Sequence, residues 1–574
     1  MFLAFFVRVA GFGFFGLVIG LALGLGLASG AAVAGADDEV VGEATGLGLD
    51  GAEKAEAEAM TVRLRAAVPA TAPIAKREGV RARRKSMGEA IRHVYQSRGW
   101  LENRLAATYG GYVGQRMSAL DASFLYLDRP ETPMHVGGVL VFDAPGFSYD
   151  ELLARVSARI SMVPRYRQRV REVPLRLSRP IWVDDEDFDL EYHVRRTSVA
   201  RPGGREQLDE LAARLFSRAL DHDRPLWEMY LIEGLEHGRV ALVTKTHQAM
   251  IDGLGAVDIE QVILDREPSA FTVEAEPWIP RSEPSSIDLV TKAFTENLTT
   301  PALAWDVVRT NVSDISHVAG ALGSRAWDIA STAVRMARTV HPTPLNVEIG
   351  AQRRIATADY RLESLKDIRR AFGVTVNDVA LAVIAGALRA WLMTRGAPVT
   401  GSAQVRAMVP ISTRNEDPNT RNNVSAFLVD LPVGEPDPVV RLRRIAFELA
   451  QLKDVGQLLG ADAIISAAGF GPPTLHALGA RLGANLTKRV YNLVITNAPG
   501  PQHALYLGEA RMVASYPFVP LTQNQALGVG FTSYDGGIFL ALTADREAMP
   551  DLDELMSCLA DSLAELRDYL PAHD

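Results

Sequence analysis

The residues best suited to chemistry sit together in Thr246-His247-Gln248-Ala249-Met250-Ile251-Asp252-Gly253. The imidazole of His247 titrates near neutrality, so it can take a proton from a hydroxyl at physiological pH. Asp252 can orient a ring or tie down the loop, and Gly253 permits a sharp turn. A histidine at a strand end is also a common structural residue, so both roles stay open here. Two further histidines carry the same ambiguity. His135 reads as a hydrogen-bonded loop histidine or a second acid/base. His222, between Asp221 and Asp223, reads as part of a turn capped by acids or as a weak metal cluster. Leu226 and Trp227 read as packing residues, and Asn377 and Asp378 as the start of a helix. The single cysteine, Cys558, excludes an internal disulfide and the Cys-rich zinc sites.

The elements around these residues are readable. Leu226–Ile232 alternates like a half-buried strand, Glu236–Arg239 makes a turn, and Val240–Thr246 is a second strand. This hairpin delivers His247 at a strand end. Val136–Phe142 is a further strand. Tyr149–Ile160 and Leu208–Leu220 are helical, the second stopped by Asp221–Pro225. Pro268, Pro277, Pro280 and Pro284 mark a long irregular connection, and Ile287–Met336 is broadly helical. Thr375-Val-Asn-Asp378 has the spacing of a capping box. The residues behind it, Val379–Leu388, include none that is polar, which predicts a helix buried on all sides and ended by Gly396. Val424–Leu431 alternates as a strand. Tyr534-Asp-Gly-Gly537 joins two strands in a hairpin, and Asp553–Leu570 is an amphipathic helix.

With 574 residues, 48% hydrophobic and 22% charged, the chain is long enough for several domains and too apolar to be mostly disordered. A formal charge of −9 gives no global basic field, so nucleic acid is not an expected partner. Residues 1–116 differ from the rest. Arg8 is the one charge in residues 1–36, and the uncharged run Val9–Ala36 is long enough to cross a membrane. A signal peptide is an alternative, with Ala32-Val33-Ala34 as a cleavage site. Residues 76–85 are strongly basic and read as a solvated linker or a contact to anionic lipid. A third alternative is an upstream start that is not native, since regular patterning begins at Met117. No uninterrupted apolar run after residue 117 is long enough to span a bilayer.

Spread along residues 117 to about 570 are landmarks that together resemble one family. They are Met117-Ser-Ala-Leu-Asp-Ala-Ser-Phe124, Pro133-Met-His-Val-Gly-Gly138 and Arg224-Pro-Leu-Trp-Glu-Met229. Val376-Asn-Asp378, Asn492-Leu-Val-Ile-Thr-Asn-Ala-Pro-Gly-Pro501 and Ser533-Tyr-Asp-Gly536 follow in order. The chain resembles the bacterial wax ester synthase/diacylglycerol acyltransferase family, within the CoA-dependent acyltransferase superfamily. The resemblance implies an α/β fold of two lobes with mixed sheets, like chloramphenicol acetyltransferase, with a channel between them. Composition and patterning divide the chain into a leader at 1–116, an N-terminal lobe at 117–265, a crossover at 266–345 and a C-terminal lobe at 346–574, and the resemblance covers everything after the leader. It further implies acyl transfer from acyl-CoA to diacylglycerol or a fatty alcohol. It places Leu226, Trp227, Asn377 and Asp378 near substrate. Acyl-CoA is then a substrate, and no metal or redox cofactor is implied. An apolar acceptor implies contact with a membrane or lipid-droplet surface, on its cytoplasmic face.

The family signature is HHxxxDG, with its second histidine as the base. Here His247, Asp252 and Gly253 match, while Gln248 fills the second histidine's place. An amide donates and accepts hydrogen bonds but takes no proton near neutral pH. Losing a general base typically removes about 10²–10⁴-fold in rate. Three outcomes are open: His247 takes over as base, Gln248 orients the acceptor while another group or water takes the proton, or the chain is a silent lipid-binding homologue.

Overall fold

The computed structural model describes residues 114–174, 177–251, 259–268, 278–291, 343–412, 424–454 and 490–570. The apolar leader, the basic run, Asp252, Gly253 and most of the expected helical stretch 287–336 lie outside them. In chain order the strands are β1 (Gln115–Arg116), β2 (His135–Phe142), β3 (Gln168–Arg171), β4 (Ile181–Asp184), β5 (Val194–Ser198), β6 (Trp227–Glu233), β7 (Val240–His247), β8 (Arg353–Arg361), β9 (Val405–Ser412), β10 (Val424–Leu431), β11 (Leu493–Pro499), β12 (Tyr506–Leu507), β13 (Ala510–Phe518), β14 (Leu527–Tyr534) and β15 (Gly537–Asp545). Two six-stranded mixed sheets dominate, ordered β12-β13-β2-β7-β6-β5 and β10-β9-β11-β14-β15-β8, with a small sheet β1-β4-β3 beside them.

The first sheet is not built from the N-terminal half alone. The strand β13, from late in the chain, pairs antiparallel with β2. On its other edge β2 pairs antiparallel with β7, which sets His135 opposite His247. The pair Gly137-Gly138 is what lets β2 sit between them. A Cβ at Gly137 would run into the carbonyl oxygen of Thr244, and one at Gly138 into that of Tyr516.

Five helices matter to the argument: α1 (Ala119–Leu127), α2 (Arg205–Phe216), α3 (Gln248–Ile251), α4 (Val376–Thr394) and α5 (Leu552–Asp568). The helix α2 starts and stops earlier than the expected Leu208–Leu220. Gly204 is its N-cap, and the Gln207 side chain accepts from the Gly204 N–H, so the first turn begins at Arg205. Ser217 closes it by donating its hydroxyl to Ala213 O.

The helix α4 follows the sequence closely. Thr375 Oγ1 accepts from Asp378 N–H, and Asp378 Oδ2 accepts from Thr375 N–H, the reciprocal pair of a capping box. Behind it Val379–Leu388 is buried on every side, and Gly396 at φ 68° follows the end. By length and composition α4 could cross a membrane, but 72% of its apolar window is buried inside the protein, where it packs against α5. The hairpin at Tyr534–Gly537 forms as expected, with Asp535 and Gly536 both at positive φ.

The two sheets are joined through α2. Asp209 accepts from Thr357 N–H at 2.9 Å and from its hydroxyl at 2.8 Å, and Ser217 Oγ accepts from Arg353 N–H at 2.8 Å. Both acceptors lie on or just after α2, and both donors lie on β8.

Candidate functional site

Every residue of β7 is buried, yet its last four are Thr244, Lys245, Thr246 and His247. A polar side chain in such a place must be hydrogen-bonded or it costs stability. Lys245 pairs with Glu228 of β6 at 3.0 Å and donates to Leu215 O at 3.2 Å and Arg218 O at 2.7 Å. His135 supplies Nε2 to Phe216 O at 2.8 Å. The buried polar groups of this sheet therefore cap the carbonyl end of α2, where unsatisfied oxygens and the helix dipole favour donors and cations. Burial pushes the Lys245 amine down, with Glu228 acting against it. It pushes His135 well down too, so that imidazole stays neutral and serves as a donor rather than an acid/base.

His247 is 1% exposed, and its ring looks inward. The backbone N–H of Ala249 donates to Nδ1 at 3.1 Å. That makes Nδ1 an acceptor and leaves the proton of the neutral ring on Nε2. Nε2 faces Asp128 Oδ2 at 3.4 Å, too far for a close hydrogen bond. Burial lowers the His247 pKa, against the attraction of Asp128. In this geometry the backbone turn into α3 occupies Nδ1, and Nε2 is turned toward Asp128 inside the protein, so His247 is held as a buried ring.

Asp128 is the residue that sequence reading missed. It caps the end of α1, its backbone N–H donating to Phe124 O, and its side chain is 6% exposed. Oδ1 accepts from Met134 N–H at 2.9 Å, and Oδ2 accepts from His222 Nε2 at 2.7 Å. Burial alone would raise the Asp128 carboxyl, but the His222 bond and the facing His247 ring outweigh it and hold the group below the ordinary carboxylate range. His222 moves the other way: its bond to Asp128 raises it, against partial burial. Unlike His247, the His222 side chain is 48% exposed. The two imidazoles stand edge to face, 5.9 Å between centres.

The loop that carries His222 is folded as its acids suggest. Asp221 Oδ1 accepts from Asp223 N–H at 3.0 Å, a turn of the Asx type. His222 itself reaches out of that turn to Asp128. Asp128, His222 and His247 bring one ligand atom each within 4.8 Å of one another, the spacing of a metal site. With a proton on each Nε2 the two rings serve as donors toward one carboxylate, whereas a metal would need those nitrogen lone pairs instead.

The remaining expected residues divide. Gln248 is half-buried at the first position of α3, its backbone N–H donating to Met134 O at 2.8 Å. Asn377, at the start of α4, accepts from Asn497 of β11 at 3.0 Å, so two of the landmark segments meet there. Asp378 is occupied by the capping box. Leu226 and Trp227 are not at a surface where substrate could touch them. Both are in the apolar core, Trp227 stacked on His193 at 4.7 Å and donating its indole N–H to Tyr166 O. Here they serve as packing, Trp227 at the start of β6, which lies between β7 and β5, and Leu226 just before it.

Comparison with known proteins gives a consistent result. Residues 117–380 match the family model for the wax ester synthase/diacylglycerol acyltransferase catalytic domain, and residues 420–567 match that for the WS/DGAT C-terminal domain. A probable diacylglycerol O-acyltransferase of Mycobacterium tuberculosis strain H37Rv, tgs2, is 33% identical over 459 residues, covering 78% of this chain and 97% of that protein. A second from the same strain, tgs3, is 44% identical over 261 residues, covering 44% of this chain and 95% of that protein. Among solved structures, the wax ester synthase/diacylglycerol acyltransferase from Marinobacter aquaeolei VT8 superposes with a TM-score of 0.56 at 26% identity, covering 79% of this chain and 98% of that one.

Proposed function

Because the chain belongs to the wax ester synthase/diacylglycerol acyltransferase family, we propose that it is an O-acyltransferase carrying a long-chain acyl group from acyl-CoA to diacylglycerol, and also to fatty alcohols. The acceptor hydroxyl attacks the thioester carbonyl. The tetrahedral oxyanion that forms needs donors aimed at it, and no covalent enzyme intermediate is required. Acyl-CoA serves as a substrate, and this chemistry calls for no metal or redox cofactor. The products are triacylglycerol or wax ester, whose apolar nature favours work at a membrane or lipid-droplet surface.

The observation that carries this reading is the matched catalytic domain with its strand-end HQxxxDG segment at the end of β7. Purified full-length protein, given radiolabelled palmitoyl-CoA with either diacylglycerol or hexadecanol, should release CoA and form labelled triacylglycerol or wax ester. A second reading, a silent acyl-CoA- or lipid-binding homologue, is favoured by one observation, Gln248 in the base position. Acyl-CoA binding without product from either acceptor would decide for it.

A further inference from the structure

The base that Gln248 lacks has a candidate in His222, whose ring stands 5.9 Å from that of the neighbouring His247. Among the described residues, Asp128 holds His222 by Nε2 alone, and nothing hydrogen-bonds its Nδ1. An imidazole with one nitrogen donating to a buried carboxylate presents the other as an acceptor, and the carboxylate stabilises the cation that forms when a proton arrives. The same carboxylate is fixed by Met134 N–H, while Met134 O accepts from the backbone of Gln248. Met134 is thus clamped between Asp128 and the position where the family's base would stand. The sequence places a histidine in the only one of these two rings that is both carboxylate-held and half-exposed, since His247 is sealed.

We propose that His222, oriented by Asp128, is the general base for the acceptor hydroxyl, and that His247 and Gln248 are positioning residues around it. The proposal rests on the acyltransferase reading above. In the step it describes, the hydroxyl proton passes to His222 Nδ1 as the oxygen forms its bond to the acyl carbon. The C–S bond then breaks, and the departing thiolate takes the proton back, giving ester and free CoA. Asp128 remains ionised throughout. The charged groups facing His222 are Asp128 from the end of α1, Asp221 and Asp223 from its own loop, and His247 from β7 when protonated.

The test is steady-state kinetics of the full chain with palmitoyl-CoA and diacylglycerol across pH, comparing wild type, His222→Gln, Asp128→Asn, Gln248→His and the double variant His222→Gln/Gln248→His. His222→Gln should lower kcat by about 10²–10⁴-fold, the usual worth of a general base, with KM for acyl-CoA little changed. Activity of the wild type should fall on the acid side as His222 gains a proton, and Asp128→Asn should move that limb to lower pH. The double variant should recover activity, because it restores a histidine at the family's own position. Wild-type kcat and an unmoved pH profile in His222→Gln would overturn the proposal. An inactive wild type with an active Gln248→His would overturn it too, while leaving the acyltransferase reading intact. Inactivity of both, with acyl-CoA still bound, would sink both together.

Discussion

The two large sheets have the same number of strands and are filled differently. In the sheet built on β7, buried positions hold Lys245, His247, His135 and Glu228, each facing a partner. Over the other sheet, α4 presents nothing polar from Val379 to Leu388. That apolar stretch is held by packing, although the second lobe also buries Arg441, Asn492 and Asp545 elsewhere. A core of the first kind is held by pairs, and removing one member strands the other in a medium that cannot solvate it. The difference teaches a local division of labour, in which the polar end of β7 is set by pairing and the middle of α4 by packing, with the second lobe also completing the first one's sheet through β13.

Lys245 offers the hardest blow to that contrast. Lys245→Met leaves buried Glu228 with only the longer 3.7 Å pair to Arg195 and deprives Leu215 O and Arg218 O of their donor. The expected loss is about 3–5 kcal/mol in urea denaturation, as for a broken buried pair. Acyl transfer by the protein that stays folded should fall too, since β7 sets the place of His247. A loss under about 1 kcal/mol would mean that the pair does not hold the sheet.

The matching cut on the other side is Leu388→Ala in α4, which removes a fully buried side chain from the second apolar core. It should cost about 2–5 kcal/mol and leave kcat per folded molecule unchanged. A kcat drop as deep as that of Lys245→Met would erase the division of labour. Thr375→Ala, which breaks the capping box, should cost about 1 kcal/mol in the same assay and again spare kcat.

A pH-dependent effect belongs to the junction between the sheets. Burial lifts the Asp209 carboxyl from the ordinary 3.8 to about 7, with the Thr357 bonds acting against it. The folded protein then keeps a proton that the unfolded chain releases. The stability this adds is complete below about pH 4 and is lost as pH rises through 7. Thermal midpoints measured from pH 4 to 8 should show that decline, and Asp209→Asn should flatten it. An identical slope in the variant would place the titrating group elsewhere.

What could be read without coordinates was local. The capping box at 375–378 and the turn at 534–537 are written in residues three apart or adjacent, where spacing alone dictates the hydrogen bonds. The end of β7 was legible for the same reason. The pairing of Asp128 with His222 spans 94 positions, and neither residue looks special beside its own neighbours. His222 sat among acids that explained it well enough as a turn. The occupation of His247 Nδ1 was hidden for a different reason: it depends on the backbone turning into α3 directly after the strand, and a one-residue difference in that turn would free the ring. The strand β13 went unread, and even its alternating burial carries no information about which sheet would receive it.

That last strand has a temporal consequence. During synthesis β2 leaves the ribosome some 370 residues ahead of β13, a delay on the order of tens of seconds at usual elongation rates. Throughout that interval one margin of an apolar strand, His135–Phe142, lacks its native neighbour and presents open amides and carbonyls to whatever is nearby. Nascent or prematurely terminated chains ending before Ala510 should therefore be adhesive, and helper proteins that shield such margins would matter more for this chain than its size suggests.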